Sequence, residues 1–233
     1  MKIGIFTDSH YCDLELLERD RKPRYAYAAV KRAFDDFKKQ GVEIAVCLGD
    51  IVHFHNGTQE SIRHLKKISE LINSYGIPTF HCMGNHDNEV ISPEDFAEIT
   101  GFGVAPVTAE DDEVRLVFLD ASYTPEGEPY GRIDVDWTRS LVPEKELRWL
   151  NEQLDTPKRT AVFIHQNIDT NVESRHIVSN ADEVNRIIAK HAVTHVYQGH
   201  YHYGAQNVIN GIPYTTLRAI CLEEEKNYII TEV

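Results

Sequence analysis

The stretch IPTFHCMGNHD, residues 77–87, decides how this chain folds. Its apolar lead-in reads as a buried strand and stops at Gly84. An amide, an imidazole and a carboxylate then follow without a spacer: Asn85, His86 and Asp87. A buried strand that ends in three adjacent polar groups is a strand whose exit carries chemistry.

The same arrangement recurs along the chain. KIGIFTDSH (2–10) ends in Asp8-Ser9-His10, and VEIAVCLGD (42–50) ends in Gly49-Asp50. Later strand-like runs end in His165 and in Gly199-His200-Tyr201-His202. Helical patterns lie between them. Residues 25–39 place Ala26, Val30, Phe34 and Phe37 near one face, with Gly41 as the C-terminal cap. Ile62, Leu65, Ile68 and Ile72 mark a second helix that Gly76 ends.

Strand, helix, strand, helix, strand predicts parallel strands joined by crossover helices. SPEDFAEITG (92–101) reads as a short helix with Ser92 as its cap and Pro93 at its first position. PEKELRWLNEQL (143–154) is amphipathic. NADEVNRIIAKH (180–191) starts with an Asn cap and a Glu three residues on, close to a capping box. Asn210-Gly211 between two strand-like runs predicts a hairpin. RAICL (218–222) and NYIITEV (227–233) predict further strands, antiparallel to the rest. No linker divides residues 1–233. The expected fold is α/β, one domain, a four-layer αββα sandwich with two mixed β-sheets flanked by helices.

Composition bounds the function. The chain has 233 residues, 42% hydrophobic and 26% charged, which suits a globular protein rather than a disordered one. Its formal net charge of −13 disfavours binding to bulk nucleic acid and argues against a DNA nuclease. A small phosphate ester held by metal ions remains compatible with that charge. Four separated cysteines, Cys12, Cys47, Cys82 and Cys221, form no CxxC pair and read as small buried hydrophobes in a reducing compartment. No signal peptide or membrane-spanning run is visible, so a cytoplasmic location is expected.

In parallel α/β folds the carboxyl ends of the strands share one side and host the ligand. The polar groups at these exits can therefore converge. In extended chain, residues i and i+2 point the same way, so Asp8 and His10 are expected to reach one centre, as are His200 and His202. By the same alternation Tyr201 should point away. Carboxylates, imidazoles and one amide without a thiolate suit Mn, Fe, Zn, Co or Ni. The donors exceed what one tetrahedral site needs, so two metals sharing a carboxylate is the economical reading. Two such ions clamp the attacking and leaving oxygens of an in-line displacement and acidify a bound water, chemistry that fits phosphate esters.

The ordered set D-x-H, G-D, G-N-H-D, a lone His and G-H-x-H resembles the calcineurin-like metallophosphoesterases, from Asp8 to His202. The resemblance implies that Asp8, His10 and His202 bind one metal, that Asn85, His165 and His200 bind the other, and that Asp50 bridges both. It also implies His86 as general acid or leaving-oxygen stabiliser, attacked substrate being met by metal-bound hydroxide, and Asp87 as the residue that orients His86. Two departures stand out. His53 occupies the place of a second Asp found three residues after the bridging one in many relatives, and the lone histidine sits in HQN rather than His-x-Pro.

RYAYAAV (24–30) and GHYHYGAQNVINGIPYTTLRAI (199–220) look like the branch that cleaves ADP-ribose and CDP-alcohols with manganese. The expected function is hydrolysis of a phosphate ester or anhydride, on a small nucleotide-like substrate. Cyclic-nucleotide phosphodiesterase and phosphomonoesterase or protein phosphatase activities are the alternatives. A non-catalytic scaffold, as the retromer subunit of this fold is, should lose the acid histidine or several ligands, and this chain keeps them. Arg24, His53, His55 and Arg132 are candidate substrate contacts, and Trp137 belongs to a long segment, 122–142, that reads equally as a lid or binding loop and as a surface excursion or dimer contact. His64, His81, His176, His191 and His195 are expected to be ordinary surface or core residues.

Overall fold

The computed structural model describes residues 1–18, 20–131, 135–222 and 226–233. Arg132, a candidate substrate contact, lies outside the described residues.

The first sheet is built from β1 (Lys2–Phe6), β2 (Ile44–Cys47), β3 (Thr79–His81) and β4 (Gly103–Val104), all parallel, with β11 (Ile229–Glu232) antiparallel on the β1 edge. The second runs β5-β6-β7-β8-β10-β9, over Val107–Glu110, Val114–Phe118, Arg159–Ile164, Val193–Gln198, Ile212–Thr216 and Ala205–Ile209. Its inner strands β6, β7, β8 and β10 are parallel, and β5 and β9 close its edges antiparallel. Strands buried on both faces read as continuous apolar runs, which is why KIGIF and VFI carry no alternation.

Three apolar layers hold this together. Ile3, Ile5, Val46 and Leu48 meet Leu116, Phe118, Phe163 and Tyr197 between the sheets. There the rings of Phe80, Phe118, Phe163 and Tyr197 stack in a row at 4.8, 4.9 and 5.4 Å. Outside the first sheet, α1 (Pro23–Gln40), α2 (Thr58–Asn73) and α4 (Pro93–Thr100) bury Val30, Phe34, Phe37, Leu65, Ile68 and Phe96. Outside the second, α5 (Glu144–Leu154) and α6 (Ala181–Ile188) bury Leu147, Leu150, Val184 and Ile188. Burying one such side chain contributes about 1.5–3 kcal/mol. Gly4 allows β1 and α1 to approach, since a Cβ there would meet the Phe37 ring at 2.7 Å.

The helix ends follow the sequence signals at Gly41, which is left-handed with φ 67°, and at Ser92, whose hydroxyl accepts from the Asp95 N–H at 3.2 Å. Asn210 and Gly211, with φ 52° and 82°, turn the β9–β10 hairpin. Two expectations fail. Asn180 makes no side-chain cap; its amide accepts from Val142 N–H and donates to Val142 C=O, tying α6 to the loop before α5. RAICL is not a strand: Ala219 N–H bonds His202 C=O and Ile220 N–H bonds Thr7 C=O, so the segment is pinned beneath the loops after β8 and β1. Beyond β3, residues 85–90 form a short helix, α3 (Asn85–Val90), for which the sequence carried no expectation.

Candidate metal centre

The carboxyl ends of β1, β2, β3, β7 and β8 face one edge of the sandwich. The loops leaving the first sheet are zipped by Asp8 N–H to Gly49 C=O at 3.0 Å and His10 N–H to Asp50 C=O at 2.9 Å. The polar residues sit just beyond the strands and not on them. Asp8, His10, Asp50 and His200 all have positive φ, 51°, 44°, 50° and 66°. Each such non-glycine residue costs on the order of 1 kcal/mol or more, and persists only where its surroundings over-determine it. Strand alternation therefore does not aim these side chains; left-handed turns do. For the same reason Tyr201 does not point away but lines the cleft, its ring 5.2 Å from His176.

The donors gather in two clusters that share one carboxylate. Asp8, His10, Asp50 and His202 form one, and Asp50, His165 and His200 the other, with ligand atoms within 4.8 Å of one another in each. The wiring behind them leaves one lone pair free per group. Asp8 Oδ2 accepts from Thr7 Oγ1 at 2.5 Å and from the His200 N–H at 3.1 Å, while Oδ1 has no hydrogen-bond partner. Asp50 Oδ1 accepts from the His86 N–H at 2.9 Å, leaving Oδ2 at 3.4 Å from His165 Nε2 and 3.8 Å from His10 Nε2. His165 Nδ1 donates to Leu48 C=O at 2.7 Å, which turns Nε2 inward. His10 Nε2 and His202 Nε2 face each other at 3.1 Å. Asn85 Oδ1, His165 Nε2 and His200 Nε2 are buried without hydrogen-bond partners.

Buried lone pairs without donors are costly unless a cation meets them. The electrostatics point the same way. Burial pushes the Asp8 carboxyl up, yet the His10 and His202 imidazoles facing it at 3.7 and 3.3 Å outweigh that and hold the group well below the usual carboxylate range. Asp50 is likewise held low against its burial by the charges of His165 and His86. Burial lowers His165, but Asp50 raises it to about 9. His10, dominated by burial, is pulled down to about 4. The carboxylates thus draw positive charge toward the space between the clusters. The donor set fits a pair of cations bridged by Asp50.

His86 stands at the edge of this centre, its ring 4.8 Å from that of His10. Its expected partner is not the one observed. Asp87 is fully buried and turned away; its carboxylate accepts from the N–H groups of Asp50, Ile51 and Gly84 at 2.8, 2.9 and 3.0 Å, and contacts His81 Nε2 at 2.8 Å. It fixes the loop that carries Asp50 and does not touch the His86 ring. Glu89, one helical turn on, meets His86 Nδ1 at 3.0 Å through Oε2. Gly84 is required here because a Cβ would lie 2.1 Å from Asp50 Oδ1.

A cleft of about 310 Å³ opens over Asp50, Asn85, His86 and His200. Trp137, from the long segment, forms one wall, its ring 5.1 Å from His200 and 5.5 Å from His176. The other candidate contacts divide. His53 lies beside the centre, its ring 4.7 Å from His86. His55 does not line the cleft, and neither does Arg24, whose guanidinium donates to Asp13 C=O at 3.0 and 2.5 Å on the outer surface. The residues that line it instead, Arg21, Arg175 and His176, carried no signal: a charge-rich loop reads as solvated surface. Glu89 could have been found from its i, i+3 spacing to His86.

Among the described residues no helix is long and apolar enough to cross a membrane. The family model of the calcineurin-like phosphoesterases matches residues 1–204. A manganese-dependent ADP-ribose/CDP-alcohol diphosphatase from Oryza sativa subsp. japonica is 23% identical over an alignment 267 positions long, covering 93% of this chain and 82% of that protein. Among solved structures, a dimetal phosphatase from Danio rerio superposes with a TM-score of 0.80 at 18% identity, over 95% of this chain and 88% of its own. A phosphopantetheinyl hydrolase from Mycobacterium tuberculosis matches with a TM-score of 0.55 at 12% identity, over 94% and 90% of the two chains.

Proposed function

We propose, from the premise that the chain belongs to the calcineurin-like phosphoesterase family, that it hydrolyses a nucleoside diphosphate conjugate of the ADP-ribose or CDP-alcohol type with manganese. At the coarser level it is a metal-dependent phosphoester hydrolase with divalent ions in a dinuclear site. The observation that carries the reading is the pair of donor clusters sharing Asp50.

In this reading Asp8, His10 and His202 would hold one ion and Asn85, His165 and His200 the other, with Asp50 common to both clusters. When bound, such ions neutralise phosphoryl oxygens and acidify water. The chain's own residues do the rest. His86 gives a proton to the leaving oxygen, or donates a hydrogen bond to it, with Glu89 fixing its ring through Nδ1. Asp87 keeps the Asp50 loop in register. Trp137 walls one side of the cleft and contacts the bound substrate. The manganese and the diphosphate substrate rest on the likeness to the rice enzyme and on the two arginines that line the cleft.

The test is metal-stripped protein refilled with Mn and assayed on ADP-ribose, CDP-choline, a cyclic nucleotide, a nitrophenyl phosphate monoester and its diester. Preference for ADP-ribose or CDP-choline is the expected result. Preference for the cyclic nucleotide or the monoester overturns the substrate, and failure to bind two metals per chain overturns the site.

A further inference from the structure

Arg21 is the least expected residue in the cleft. Its side chain is 5% exposed, although it sits in a charge-rich loop between β1 and α1. Its backbone is bolted on two sides, by bridges to Leu17 and to Leu222. Its Nη2 meets the Glu18 carboxylate at 2.5 Å, and that carboxylate is 71% exposed. Its Nε is buried with no hydrogen-bond partner among the described residues. Arg21 lines the same cleft as Asn85 and His86.

A buried arginine held rigid with a free donor is a device for an anion, and its planar fork suits phosphate. The charge balance says which anion. Two divalent ions against the carboxylates of Asp8 and Asp50 already leave a surplus of positive charge for the phosphate being cleaved. Arg21 adds a further cation beside that place, and a simple phosphodiester has no second charge to meet it. Of the acids at the mouth, Glu18 meets the guanidinium, while Asp20 accepts from Tyr203 Oη at 3.1 Å and Glu173 lies 3.7 Å from His176 Nδ1.

We propose that Arg21 forms a subsite for the second, uncleaved phosphate of a two-phosphate substrate, with Glu18 holding it while the cleft is empty. This rests on the hydrolase reading above and deepens it, because the subsite makes the cleft select phosphoanhydride conjugates over single-phosphate esters.

The experiment is calorimetric binding of α,β-methylene-ADP and of AMP to the Mn-loaded protein. The wild type is expected to bind the diphosphate analogue about tenfold tighter, the range of one charge-assisted phosphate contact. In Arg21→Gln that ratio should fall to within about twofold of unity. A ratio retained in Arg21→Gln, or a wild type with no preference, overturns the proposal. Should Arg21→Gln fail to fold, Glu18→Gln decides, since that side chain is exposed: releasing the guanidinium should raise the ratio about threefold, and an unchanged ratio overturns it. Wild-type turnover of ADP-ribose and of bis(nitrophenyl) phosphate separates the two readings. No turnover of either, with two Mn bound, sinks the hydrolase, while the binding ratio still judges Arg21.

Discussion

The floor of the cleft and its rim are built by different rules. On the floor, Asp8, Asp50 and His165 each have one polar atom tied to the protein and the other left free, and the backbone beneath them is laced loop to loop. On the rim, Trp137 is held by ring contacts with His200 and His176 and by the Arg175 guanidinium 4.7 Å above it, while Tyr203 is 59% exposed. A network of backbone hydrogen bonds permits one geometry; ring contacts permit several. The floor is therefore suited to fixing where the reaction happens, and the rim to choosing what it happens to.

The comparison can be broken first at its centre. Asp50→Asn should lose one or both metals, measured by elemental analysis, and cut kcat/KM on the order of a thousandfold, several kcal/mol of lost transition-state stabilisation. Retention of two metals and activity would mean that the floor is not organised around that carboxylate.

Asp87→Asn probes the wiring under the floor. It removes the charge that several buried N–H groups share. The expected cost is about 3 kcal/mol, seen as a drop of roughly 10 °C in the melting temperature. A loss of turnover at unchanged stability would instead return Asp87 to the role of orienting His86.

Trp137→Ala should act on the rim alone, raising KM about fivefold with kcat and metal content little changed, the worth of one aromatic contact. An equal fall in kcat would erase the distinction between rim and floor.

The smallest effect concerns the joint between them. Asp120, at the end of β6, accepts from the Ser122 N–H at 2.9 Å, and Ser122 Oγ donates to Met83 C=O at 2.9 Å, so the long segment starts from a buried carboxyl. Burial, with the Glu146 charge adding, raises Asp120 to about 6. The folded state then takes up this proton before the unfolded chain does, so its contribution to stability is lost as pH rises from about 4 to about 6 and stays lost above. Asp120→Asn removes that loss. It should melt about 5 °C higher than wild type at pH 7.5 and show no difference at pH 4, by calorimetry at both. A difference independent of pH would show that packing, not ionisation, sets the effect.

The sequence by itself determined most of the strands, most helix ends, the hairpin at Asn210-Gly211 and the polar groups at the strand exits. These are local signals: apolar runs, a 3.6-residue period, and glycine where φ must be positive. Order along a parallel sheet then forces the exits onto one side, which is why residues as far apart as Asp8 and His202 could be grouped before any contact was seen. Only the tertiary structure decided the partners. Asp87 follows His86 in sequence, but α3 turns the two side chains apart, gives Asp87 to the Asp50 loop and hands His86 to Glu89. Arg21 lies among exposed charges in sequence and becomes buried because the Leu222 segment covers its backbone. Trp137 and His176, in segments that nothing local pairs, meet over His200. Each of these contacts is worth about 1 kcal/mol, too little to leave a pattern in the chain, and each depends on loop paths that the packing of the two sheets fixes.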